Sequence, residues 1–211
     1  CILPIALLFN RDLLAVMFAD EFPGIAGLTG PFVLLVLCGI ATTNIISAPS
    51  ISLEGKNLWI AQSIPVKASD VLMSKAFTHM TVCLPSVLFA GVMLNLILDI
   101  NPLTRVLLFL TPAALTVFQA MFGVAVNLRF PKFDWISEMI AVKQGASTLI
   151  AMFGAMALVA LPTILYASVL SSLIRPEIYI ALVTVLIAAL AAGLYAFLKT
   201  KGGKMFSALS A

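Results

Sequence analysis

Two polar stretches interrupt a chain that is otherwise a succession of apolar runs, and they limit its fold more than any other feature. The first, residues 51–66 (ISLEGKNLWIAQSIPV), gathers Glu54, Gly55, Lys56, Asn57, Trp59, Gln62 and Ser63. The second, residues 127–144, holds Arg129, Lys132, Asp134, Glu138 and Lys143. Apolar runs of about 20 residues, the length that crosses a bilayer as a helix, flank both. Charged side chains and open backbone do not rest in hydrocarbon. Each stretch is therefore read as an aqueous or interfacial elbow between membrane spans.

Composition supports this division. Charged residues make up 10% of the chain and hydrophobic ones 62%, whereas a soluble domain carries about 25% charged residues to cover its core. At about 20 residues per crossing, 211 residues accommodate five or six helices. The apolar runs are continuous rather than alternating, which argues against an outer-membrane barrel. The expected fold is an all-α polytopic membrane helical bundle, a single transmembrane domain. Its five complete spans are placed at about residues 31–48, 70–98, 103–126, 145–170 and 177–198. A truncated first span precedes them, because the apolar residues 1–9 stop at Asn10-Arg11-Asp12. Residues 20–30 read as an acidic, glycine-rich loop.

Local signals sharpen the boundaries. Pro31 suits a helix start, where its missing donor is harmless. Ser69-Asp70 supplies a cap and a negative first turn for the long helix that follows. Pro85, Pro112 and Pro162 predict bends in three spans. Basic residues set the orientation. With the first elbow in the cytoplasm, the inside holds Lys56, Lys67, Lys75, Arg129, Lys132, Lys143, Lys199, Lys201 and Lys204. The outside holds Arg105 and Arg175, with Arg11 undecided. This bias predicts a multi-pass membrane protein with both elbows and the C-terminus cytoplasmic.

Searching for chemistry returns mostly blanks. No catalytic constellation and no metal-ligand spacing occur, and Cys1, Cys38 and Cys83 sit in apolar context. Gly55-Lys56 and Gly203-Lys204 lack the remainder of a phosphate loop, so no nucleotide or other cofactor is expected on this chain, and no nucleic-acid partner. The spans carry no carboxylate away from their ends, which argues against a proton- or sodium-driven carrier. His79 and Gln119 are read chiefly as hydrogen-bonding groups inside the bundle, with Lys75 reaching to the interface. Ala151-x-x-x-Ala155 and Ala189-x-x-x-Gly193 favour close helix approach, with a dimer interface as an open alternative. Taken as one helix, the first elbow lines up Leu53, Ile60 and Ile64, sends Glu54 and Lys56 to water, anchors at Trp59 and ends at Pro65.

Ser52-Leu53-Glu54-Gly55-Lys56-Asn57-Leu58-Trp59, followed by Ser63-Ile64-Pro65-Val66, resembles the S-x-E-G-K-N-x-W … S-L-P signature of bacterial ABC exporter permeases of the type-2 class. Phe130-Pro131-Lys132-Phe133-Asp134-Trp135, with Val142-Lys143-Gln144, is similar to that family's second cytoplasmic motif. The resemblance implies a transmembrane subunit of the bacterial plasma membrane that is not itself an enzyme. ATP and Mg would be bound by a separate ABC ATP-binding subunit. A second permease unit would complete the bundle, either as a homodimer or as a missing half of the same chain. Glu54, Gly55, Lys56, Asn57, Trp59 and Pro65 carry over as ATPase-coupling residues. Phe130, Pro131, Lys132, Phe133, Asp134, Trp135 and Lys143 carry over as a second cytoplasmic contact. The family's usual Arg-Glu pair is Leu53-Glu54 here, and residues 171–176 are too short for the re-entrant extracellular helices of many relatives. A membrane anchor that recruits an ATPase without moving substrate is the alternative. A passive channel or ion-coupled carrier is disfavoured by the missing carboxylates.

Overall fold

The computed structural model describes residues 29–98, 100–143 and 145–209, and all regular structure among them is helical. The truncated span expected at residues 1–9 and the acidic loop up to residue 28 lie outside the described residues. Helix α1 (Thr29–Ala41) leads through turns and a short 3-10 segment (Ser52–Asn57) into α2 (Leu58–Ser63). Two long helices follow, α3 (Ala68–Ile97) and α4 (Pro102–Arg129). After a loop and the short α5 (Glu138–Lys143) come α6 (Ala146–Leu165) and α7 (Pro176–Phe197). A wider helical turn extends α6 to Leu170, and another joins α7 to a last short helix, α8 (Gly203–Ser207).

Four of these helical stretches are long and apolar enough to cross a membrane: Ala68–Ile97, Pro102–Arg129, Ala146–Leu170 and Pro176–Ser207. They alternate in direction, so residues 52–67, 130–143 and 199–209 share one end of the bundle. That end carries most of the lysines and is called the basic end below.

Helix α4 is the hub. It packs against α1, α3, α6 and α7, and its span is far more enclosed than the others. Leu107, Leu108, Leu115 and Phe118 join Leu34 and Cys38 of α1, Val87 of α3 and Ile187 of α7 in one apolar cluster. A second cluster at the basic end joins Ala120, Met121, Val124 and Leu128 to Leu72 and Ala76 of α3, Ile51 and Leu58 of the elbow, and Leu198 and Phe206 of the C-terminal segment. Pro85, Pro112 and Pro162 all lie inside helices, as expected.

Two boundaries and one small-residue motif differ from expectation. The span placed at residues 31–48 loses its helix at Ala41, although the sequence stays fairly apolar. Thr42 and Thr43 return their hydroxyls to the carbonyls of Gly39 and Ile40 at 2.6 and 2.7 Å. Such back-bonding competes with helix continuation, and Pro49 removes a further donor. The last helix runs past Leu198 into α8, because Gly202 and Gly203 permit close packing on Leu72 and Ser69 of α3. The two small-residue motifs also part company. Ala151 and Ala155 are buried, and a Cβ at Gly154 would lie 2.7 Å from the Phe122 ring of α4. Ala189 and Gly193 instead face outward, with no atom within 4 Å of a Cβ at Gly193.

Candidate functional site

Backbone that leaves a helix at membrane depth needs partners from neighbouring elements. Residues 42–52 find them on α3 and α4. The Gln119 Nε2 amide donates to the carbonyls of Thr42 and Asn44 at 2.8 and 2.6 Å. Gln119 lies ten residues before Arg129, about 15 Å along the helix. The Ser47 hydroxyl donates to the Gln119 carbonyl at 3.3 Å, and the Ser47 N–H donates to His79 Nδ1 at 3.3 Å. An accepting Nδ1 puts the proton of a neutral imidazole on Nε2. Close approach is possible because position 123 is glycine. A Cβ there would stand 2.3 Å from Ser47 Oγ and 2.9 Å from the Ala48 nitrogen.

One turn further on, Asn127 anchors the start of the elbow. Its Oδ1 accepts the N–H groups of Ile51 and Ser52 at 2.7 and 3.0 Å. Its Nδ2 donates to the hydroxyls of Ser52 and Ser147 at 2.7 and 2.9 Å. A single buried amide thereby ties the elbow to α4 and α6. Ser52 in turn accepts the Lys132 N–H on its hydroxyl at 2.9 Å and the Trp135 Nε1–H on its carbonyl at 2.8 Å. The two polar stretches, about 80 residues apart in sequence, are one assembly.

Gly55 is the joint of that assembly. Its φ of +49° and ψ of −127° belong to a region that side chains rarely adopt. A Cβ at this position would also meet the Trp135 ring at 2.9 Å. The bend breaks the short 3-10 segment itself, ahead of α2, so the single amphipathic helix expected over this stretch does not form. Leu58 turns inward and is buried, while Ile60 and Ile64 are exposed.

Glu54 is a further correction. It was expected to project to water, yet Oε1 pairs with the Lys75 ammonium at 2.5 Å, and both side chains are more than three-quarters covered. Lys75 also donates to the Ser50 carbonyl at 3.0 Å, so its ammonium ends on the elbow. Glu54 Oε2, His79 Nε2, Gln119 Oε1 and Thr148 Oγ1 are buried without a hydrogen-bond partner among the described residues.

The expected site residues therefore fall into two sets. Glu54, Gly55 and Trp135 hold the assembly together, and Phe133 packs against its apolar underside. Pro131 and Lys132 are partly covered in the loop between them. Asn57, Trp59, Pro65, Phe130, Asp134 and Lys143 face outward, Trp59 with 65% of its surface exposed. The backbone of Lys56 lies in the 3-10 segment. Ile60, Ile136 and Met139 extend the exposed apolar surface at this end, Ile136 being 98% exposed. Gln62 adds a tie to the C-terminal segment, donating to the carbonyls of Phe206 and Leu209 at 2.9 and 3.1 Å.

The sequence reads Gln119 as a hydrogen-bonding group inside the bundle, as the structure has it, but gives no such role to Asn127, Gly123 or the Ser52 side chain. A signal existed for Asn127, an amide in the same apolar helical run with no water to bond. No group of three or more metal-ligating side chains occurs among the described residues. Comparison with known proteins matches no family, no curated protein and no solved structure.

Proposed function

We propose that this chain is the transmembrane permease subunit of an ATP-driven exporter, and that residues 51–66 and 130–143 form its docking face for a separate ABC ATP-binding subunit. One observation supports the reading above the others. Two stretches that resemble two motifs of one permease family are bonded to each other through Ser52, Gly55 and Trp135. They leave Trp59, Ile60, Ile136 and Met139 exposed at the same end. Large apolar side chains beside charged ones at a bundle end suit a protein partner.

In this reading the basic end faces the cytoplasm of a bacterial cell, as the lysine bias favours. ATP and Mg act in the partner, and a second permease unit completes the pathway. Force on α2 has three routes into the bundle: Asn127 to α4, Glu54–Lys75 to α3, and Gln62 to the segment after α7. Elements tied this way move together, which is what switching between inward- and outward-open states requires.

The test starts from the open reading frames that neighbour this gene: a cassette ATPase is expected among them, and it should co-purify with this chain. Trp59→Ala is expected to weaken capture about tenfold, the loss of one exposed aromatic anchor, while membrane insertion is unchanged. Unchanged capture and unchanged transport-stimulated hydrolysis would sink the proposal. Movement of substrate into reconstituted vesicles only with ATP separates a permease from an anchor that merely recruits the ATPase.

A further inference from the structure

The end of the bundle opposite the elbows holds a cavity of about 300 Å³ between α1, α4, α6 and α7. Leu34, Leu115, Leu158 and Val183 form its walls, and Tyr166 and Tyr179 stand where α6 ends and α7 begins. Its few hydroxyls already have partners. Thr111 and Thr184 share a hydrogen bond at 2.7 Å, and Thr163 donates to the Val159 carbonyl at 2.8 Å. Tyr166 donates to the Ile174 carbonyl at 3.0 Å and Tyr179 to the Pro162 carbonyl at 2.9 Å. A polar ligand would find little to bond, and water is poorly held by such a wall.

Hydrocarbon suits it on every count. Helices α6 and α7, which wall one side, have the least enclosed of the membrane-length spans. Leu161, Ile164, Leu182 and Val185 are exposed on them, so in a bilayer the neighbouring fluid is lipid tails. The volume lies at the small end of ligand sites, enough for part of a lipid and too little for a whole one. The tilted Tyr166–Tyr179 pair, with ring centroids 5.1 Å apart, lies about one turn from the ends of two membrane-length stretches, and aromatic residues are enriched at the headgroup level of such spans.

We propose that this cavity binds one alkyl chain of a membrane phospholipid, its headgroup left outside near Tyr166 and Tyr179 and its tail directed towards Leu115 and Ile187. The site is independent of the docking face, and either assignment stands if the other fails.

The experiment is photolabelling of the full chain in dioleoylphosphatidylcholine vesicles. A small fraction of the phosphatidylcholine carries a diazirine at the end of one acyl chain, and adducts are mapped by peptide mass spectrometry. Labelling at Leu158, Val183 and Ile187 is expected to exceed that at the outward-facing Leu186 and Leu190 several-fold. Leu158→Trp and Val183→Phe narrow the cavity from opposite walls. Each is expected to lower labelling at the remaining cavity positions several-fold while leaving Leu186 unchanged. Equal labelling of cavity and outer surface in the wild-type protein overturns the proposal, a result that needs no variant to fold. So does the absence of cavity adducts, the outcome if protein side chains fill the space, and so does cavity labelling that neither narrowing variant reduces.

Discussion

The two ends of the bundle solve the problem of polar groups in an apolar chain in opposite ways. At the basic end, side-chain amides on α4 reach across to open backbone, and Asn127 alone makes four hydrogen bonds to three residues. At the other end, hydroxyls bond either within their own helix or the adjoining turn, as Thr163 and Tyr166 do, or directly from helix to helix, as Tyr179 and the Thr111–Thr184 pair do. None of these ties down a non-helical segment like residues 42–52. The first arrangement fixes a non-helical segment in one place. The second leaves helices free to present a featureless apolar wall. A docking face needs the former, and a hydrocarbon cavity needs the latter.

The largest expected effect tests that difference directly. Asn127→Leu keeps the volume but leaves the N–H groups of Ile51 and Ser52 buried without an acceptor, costing about 3 kcal/mol. Thr184→Val removes the hydroxyl pair with Thr111 at the opposite end and is expected to cost about 1 kcal/mol. Thermal unfolding in detergent micelles compares the two. Equal midpoints would mean that the amide network contributes no more than a single hydroxyl pair.

Glycines give the next effect, about 2 kcal/mol each. Gly55→Ala places a Cβ at positive φ and against Trp135. Gly123→Ala drives a Cβ into Ser47 and the Ala48 backbone. The two differ in readout. Gly55→Ala should loosen residues 130–135 as well as the elbow, seen as faster amide exchange in both stretches. Gly123→Ala should speed exchange in residues 42–50.

These positions mark where sequence reasoning reached and where it stopped. The four membrane-length helices follow from the length of apolar runs and the placing of Pro and charge, so α3, α4, α6 and most of α7 were legible, while the fifth expected span shrinks to the shorter α1. The end of α1 was not. Residues 42–48 are apolar enough to continue a helix, and what stops them is Thr back-bonding together with groups on helices distant in sequence: Gln119 donates to the carbonyls of Thr42 and Asn44, and His79 accepts the Ser47 N–H. Glu54 illustrates the same gap. A carboxylate in a polar stretch reads as solvated, and only the packing of α3 against the elbow brings Lys75 within 2.5 Å. The glycine of the first elbow and the tryptophan of the second were each legible as motif residues, but their mutual contact was not.

The Glu54–Lys75 pair ranks third. Its side chains are 23% and 14% exposed, and Glu54→Gln retains a hydrogen bond while removing the charge, so a loss of about 1 kcal/mol is expected. Lys75→Met should cost more, since it also strips the Ser50 carbonyl of its donor. A double-mutant cycle measures the pair itself. A coupling near zero would detach α3 from the elbow and leave Asn127 as the dominant tie.

Gly193→Ala carries the smallest effect and sharpens the comparison from the other side. Gly123 and Gly193 both lie in long apolar helices, and a scan for small residues weighs them alike. A Cβ at Gly193 meets no atom within 4 Å, so the substitution removes only backbone freedom and is expected to stabilise by up to about 1 kcal/mol. The two alanines should therefore shift the unfolding midpoint in opposite directions. A destabilising Gly193→Ala would show that the outward face of α7 is packed against something other than lipid. A second copy of the chain is then the candidate, and the loss should grow with protein concentration in the micelle. A stabilising shift independent of concentration assigns that face to the bilayer and leaves the close approach of chain to helix as a property of the basic end.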